Sequence, residues 1–155
     1  MVTVSRFLPL CVLLAGLLGA CAEYPPVPAS HAQPDSVPGA TVTAQQLQGS
    51  EWTVSYIDGV GSSQGNWPRL RWTEGDRVSG SGGCNAFAGS ATMGTGSMRF
   101  EKLAAIGKLC VTEPGGQEDR FFRALELTRK AQFSGSRLLL LDESGNTLLR
   151  LERIN

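Results

Sequence analysis

Apolar residues in this chain recur at strand spacing in short runs, each stopped by a glycine turn, and at helical spacing in one place only. This pattern constrains the fold strongly, because side chains alternate faces along a strand and return to one face about every 3.6 residues along a helix. Residues 52–57 (WTVSYI) are β-branched and aromatic and run into Asp58-Gly59, a strand meeting a turn. Residues 69–73 and 77–81 flank Glu74-Gly75-Asp76 as a hairpin, with Leu70, Trp72 and Val78 as inward positions. Glycine-rich residues 61–68 read as a loop, residues 89–93 and 98–103 as a second hairpin, and residues 137–142 and 147–153 as a third.

The exception is residues 117–130. Glu118 and Asp119 suit the positive end of a helix, Arg129 and Lys130 suit the other, and Phe121, Phe122, Leu125 and Thr128 share one face. The expected fold is mainly β, of α+β class: an antiparallel, curled or barrel-like sheet of short hairpins with one packed helix around 117–130.

The ends bound where the chain resides. Residues 1–20 carry Arg6 and then an apolar run from Phe7 to Leu18, which reads as a signal peptide. The run is about 12 residues, short against the roughly 20 that span a bilayer. It ends in Leu18-Gly19-Ala20-Cys21, which resembles the bacterial lipobox, so Cys21 is the expected site of lipidation by thiol diacylation, with palmitate-like chains, and amine acylation. Residues 21–44 hold five of the eight prolines among small and polar residues. Such a segment buries too little surface to offset its ordering entropy, and it reads as a disordered linker between the anchor and a domain at 45–155. Several acyl chains on one residue make attachment to a membrane effectively permanent. Ala22 stands where lipoproteins of the inner membrane usually carry Asp, so the resemblance implies the outer membrane, facing the periplasm.

Without Arg6, 13 basic residues face 14 acidic ones, and no basic stripe points to nucleic acid. Of four cysteines, Cys11 leaves with the signal and Cys21 takes lipid. Cys84 and Cys110 remain, an even pair in an oxidising compartment, expected to form a disulfide with two free thiols as the alternative. The bridge closes a loop of about 26 residues, worth roughly 3.5 kcal/mol of chain entropy.

Catalytic chemistry finds little to use. The single histidine, His31, lies in the linker, so neither a Ser-His-Asp nor a Cys-His arrangement is available within the domain. Metal-ligand spacing is missing as well, and neither metal nor cofactor is expected. A paired-carboxylate hydrolase is a minor alternative resting on Asp58, Glu74, Asp76, Asp142 and Glu143, all in turns.

Residues 79–87 (SGSGGCNAF) are the densest motif. Gly80-x-Gly82 lacks the helix that a dinucleotide loop needs. Gly82, Gly83, Asn85 and Phe87 are therefore candidates for a structural or binding loop, with Asn85 weighted toward structure.

Leu47-Gln48-Gly49 before Trp52, Val78-Ser79-Gly80, Cys84-Asn85-Ala86-Phe87-Ala88-Gly89, and residues 103–110 (LAAIGKLC) together resemble the META domain of bacterial HslJ-like heat-shock lipoproteins. The resemblance implies a small barrel-like β domain with its two cysteines close together. It also implies an envelope or heat-stress association, a link to antibiotic tolerance and no established catalytic activity. Ile106 replaces the family's usual threonine, and Leu109 its methionine or alanine. Two non-enzymatic roles follow: an envelope lipoprotein that binds an unidentified envelope partner, with Trp52, Trp67 and Trp72 divided between core and contact surface, or a carrier of a small apolar ligand in a barrel.

Overall fold

The computed structural model describes residues 40–106 and 115–154. The expectations for the signal, Cys21, His31, Leu109 and Cys110 lie outside the described residues.

Alternation builds the sheet. In β2 (Glu51–Ile57), Trp52, Val54 and Ile57 turn inward and are buried. Asp58 and Gly59 follow with φ of 42° and 86°, the paired positive values of a two-residue hairpin turn, and deliver the chain into β3 (Val60–Gly61). The β4 (Arg69–Trp72) and β5 (Arg77–Ser81) hairpin buries Leu70, Trp72 and Val78 as read from the sequence. Next come β6 (Ala86–Met93) and β7 (Met98–Ile106). Their register slips at Gly89, where Lys102 adopts a φ of 53°. Two residues of β7 thus oppose one of β6, a bulge that bends this edge of the sheet.

Helix α2 (Gln117–Leu127) is shorter than its periodicity suggested. Thr128 leaves it in extended conformation while its hydroxyl donates to the Ala124 carbonyl at 2.8 Å. Arg129, just past the end, donates to the carbonyls of Glu126 and Thr128, each at 2.7 Å, so the basic residue serves the helix terminus without belonging to the helix. Lys130 instead opens β8 (Lys130–Ser134), which the helical reading concealed. From there β8, β9 (Arg137–Leu141) and β10 (Thr147–Ile154) form a meander.

All the pairings are antiparallel, in the order β1-β8-β9-β10-β2-β4-β5-β6-β7, with β3 beside β2. The sheet curls without closing. A single bridge between Ser97 and Lys130, with the Met98 N–H donating to the Arg129 carbonyl at 2.9 Å, draws the start of β7 toward β8.

Two elements fall within the stretch read as linker or at its edge. β1 (Ala40–Thr41) pairs with β8, and α1 (Ala44–Leu47) follows with Leu47 fully buried. Thr43-x-x-Gln46 is the local signal for that turn: the Thr43 N–H and hydroxyl both donate to Gln46 Oε1, at 2.9 and 3.0 Å. Ala40 and Thr41 thus pair with the sheet ahead of residue 45.

α2 packs against β2, β7 and β10, and its Phe121, Ala124 and Leu125 join Trp52, Trp72, Phe87 and Leu151 in one core. These side chains pack together between the sheet and the helix.

Candidate functional site

Motif 79–87 folds as the end of β5, a turn at residues 82–85, and the start of β6. The Gly82 N–H donates to the Asn85 carbonyl at 3.1 Å, closing the turn. Its two glycines serve close approach. A Cβ on Gly82 would stand 2.4 Å from Glu118 Cγ. Gly83 has a φ of 116°, and a Cβ there would stand 2.8 Å from the Asn66 carbonyl oxygen and 2.9 Å from Gln117 Nε2. Each glycine thus makes room for one residue of the first turn of α2.

Those two residues lock the site together. Glu118 Oε1 accepts from the Asn85 backbone N–H and Oε2 from the Asn85 amide, both at 2.7 Å. Asn85 is 6% exposed and Glu118 7%, so the pair is withdrawn from water. A carboxylate in a first helical turn also meets the positive end of the helix dipole. Gln117 turns toward the loop at 62–68: its Oε1 accepts from the Ser63 N–H at 2.5 Å, and its Nε2 donates to the Asn66 carbonyl at 2.7 Å.

Phe87 points inward from β6 onto the helix, with its ring edge-on to Phe121 and Phe122 at 5.7 and 5.3 Å. Gly82, Gly83, Asn85 and Phe87 thus come together as one latch between turn, loop and helix. Cys84 lies half-buried on the same turn. Glu118 and Gln117 were missed as partners of the motif, since only their suitability for a helix start is local.

The latch holds a surface feature in place. Pro68, also in this loop, accepts from the Val54 N–H at 2.8 Å through its carbonyl. Between these anchors Trp67 stays 42% exposed, while Trp52 and Trp72 are buried in the core, the division expected of the three tryptophans. Trp67 lines an open groove of about 670 Å³ with Asn66, Arg69, Thr53, Glu152 and Arg153. Strand register places Arg69, Thr53 and Glu152 side by side across β4, β2 and β10. Arg137 holds Glu152 at 2.9 Å, whereas Arg69 reaches Glu51 only at 3.9 Å.

The carboxylate candidates divide between the two ends of β2, and the Asp58 N–H donates to the Leu148 carbonyl beside the β9–β10 turn at 2.8 Å. Asp58 and the pair Glu74 and Asp76 occupy turns at opposite ends of β2, while Asp142 and Glu143 sit on the β9–β10 turn. The Asp142 carboxyl accepts from the Asn146 amide and N–H, both at 2.8 Å, which holds its pKa below the ordinary 3.8. A general acid needs the opposite shift. Among the described residues no group of three or more His, Cys, Asp or Glu converges. Ile106, at the end of β7, is 58% exposed.

A small antiparallel sheet curled around one helix, with a Gly-Gly-Cys-Asn turn locked to that helix, defines the class. The META domain family model matches residues 45–154, and the chain belongs to that family. A protein from Burkholderia xenovorans solved by NMR is similar at 26% identity with a TM-score of 0.61, covering 85% of this chain and 99% of its own. A second NMR structure, at 22% identity and a TM-score of 0.56, covers 72% of this chain and 94% of its own and shares the fold. No curated protein is similar enough to match.

Proposed function

We propose that this chain is a lipoprotein of the bacterial envelope whose META domain acts by binding an envelope component, with no catalytic centre. The observation that carries this reading is the division of labour at the Gly-Gly-Cys-Asn motif. Its polar groups are engaged with α2, while the loop it supports presents Trp67 to solvent. A motif used as scaffold and an exposed indole on a pinned loop suit recognition, since a preorganised surface loses little entropy on binding.

Three sequence features support the envelope placement: the signal-like residues 1–20, the lipobox-like Cys21, and the proline-rich stretch that follows. Lipidation of Cys21, outer-membrane attachment facing the periplasm, and a Cys84–Cys110 disulfide belong to the same proposal, as does a part in stress response and antibiotic tolerance. Mass spectrometry of the mature protein tests the anchor: a lipidated Cys21 at the N-terminus is expected, and Cys21→Ser should release the protein from membranes. Membrane attachment unchanged by Cys21→Ser would overturn it. In-cell cross-linking tests the role, with capture of an envelope component expected. Absence of any captured partner, together with no stress or drug phenotype on deletion, would refute it.

A further inference from the structure

We propose that the groove beside Trp67 is a binding site for an acidic saccharide, a pyranose ring that bears a carboxylate or phosphate. Trp67 supplies the first element. Its indole is exposed although the loop around it is pinned to Gln117 and Val54, so it forms a rigid apolar plate of the kind that the C–H face of a sugar ring covers.

Arg69 supplies the second. It lines the groove, with a side chain 60% accessible and only a distant partner in Glu51, while Arg153, also at the groove, carries its guanidinium over the Trp52 ring at 5.7 Å. A guanidinium matches carboxylate and phosphate oxygens with two parallel N–H donors. Glu152, Thr53 and Asn66 supply the third, acceptors and donors for hydroxyl and acetamido groups. Arg137 holds Glu152 at 2.9 Å, whereas Glu51 reaches Arg69 only at 3.9 Å, so Arg69 keeps donors for an acidic group and favours an acidic sugar over a neutral one. At about 670 Å³ it falls within the usual range for small-ligand sites.

The inference deepens the envelope-binding reading, and two envelope sources offer this chemistry: the carboxylated amino sugars of a cell-wall polymer and the phosphorylated sugars of an outer-membrane glycolipid. The test uses the full chain in a polyoxyethylene detergent, which carries no sugar. Tryptophan fluorescence titrations would employ a muramic acid-containing disaccharide, a lipid-free phosphorylated glucosamine disaccharide, and neutral chitobiose. Saturable binding of at least one acidic sugar is expected, with chitobiose about tenfold weaker. The tighter acidic sugar then identifies the source.

Because Trp67→Ala also removes the nearest reporter, its affinity is read by calorimetry. A loss of about tenfold is expected for Trp67→Ala and about fivefold for Arg69→Gln, with unchanged thermal melting. The distant exposed variant Val60→Ser should bind as the native chain does. No saturable binding of either acidic sugar, equal binding of chitobiose, or full affinity in Trp67→Ala would each overturn the site. Membrane attachment through Cys21 is read separately by fractionation, so failure here leaves the anchoring test intact.

Discussion

Glu118 accepts two hydrogen bonds from Asn85, one from the backbone and one from the side chain, each 2.7 Å long and across 33 residues of sequence. A carboxylate in the first turn of α2 thereby fixes the turn that opens β6. Removing either partner strands buried polar groups on the other. We expect Glu118→Ala to destabilise the domain by ~2–3 kcal/mol and Asn85→Ala by a similar amount, with the double variant costing less than their sum. Denaturant unfolding of the four proteins gives the coupling directly, and strict additivity would refute the latch.

Gly82 and Gly83 answer a different question, that of room. Gly82→Ala should displace Glu118 and Gly83→Ala should both strain the backbone and push back Asn66, at ~1–3 kcal/mol each. Hydrogen exchange at residues 62–68 should rise in Gly83→Ala, since Asn66 lies in that loop. Gly61→Ala, whose Cβ would stand 4.0 Å from its nearest neighbour, the Ser55 carbonyl oxygen, serves as the tolerant control.

Lys102 occupies the left-handed region at the β6–β7 bulge with a φ of 53°. A branched side chain tolerates that backbone poorly, and glycine tolerates it freely. Lys102→Val should cost ~1–2 kcal/mol while Lys102→Gly stays within ~0.5 kcal/mol of the native chain. Thermal melting of the two variants distinguishes them, and equal losses would show that the bulge relaxes.

Asp142 predicts a pH dependence. Its bonds to Asn146 lower its pKa from 3.8 in the folded state, so the stabilisation is complete above about 3.8 and fades as pH falls through the lower folded value. Melting curves of Asp142→Asn and the native chain should differ at pH 7 and converge as the pH drops below 3.8. A gap that stays constant into acid would exclude the carboxylate as its cause.

Cys84 carries the proposed disulfide. Ellman titration of the unfolded, unreduced mature protein should find neither Cys84 nor Cys110 free, and Cys84→Ser should cost ~2–4 kcal/mol. Two reactive thiols would refute the bridge.

Much of this architecture was legible in the sequence because the signals are local. Period-two alternation marked Leu70, Trp72 and Val78 as inward, and the structure buries all three. Asp58-Gly59 announced a turn that takes two positive φ values. β8 escaped because it is short and two of its five residues carry amides or charges, Lys130 and Gln132, so the helical pattern before it ran on. The two-residue Gly135-Ser136 link to β9 was the available sign. Thr43-x-x-Gln46 likewise marked α1 inside a stretch whose prolines spoke for a linker.

Alone, the sequence determined the inward faces of the β4–β5 hairpin and of the helix, and the turns between strands, because dihedral preference and side-chain period act over a few residues. Only the tertiary structure decided that β10 returns to β2, that β1 covers β8, and that Gly82, Gly83 and Asn85 receive Glu118 and Gln117. Those choices depend on which distant surfaces bury each other and which polar groups find partners there, a competition settled across the whole chain and encoded in no single stretch of it.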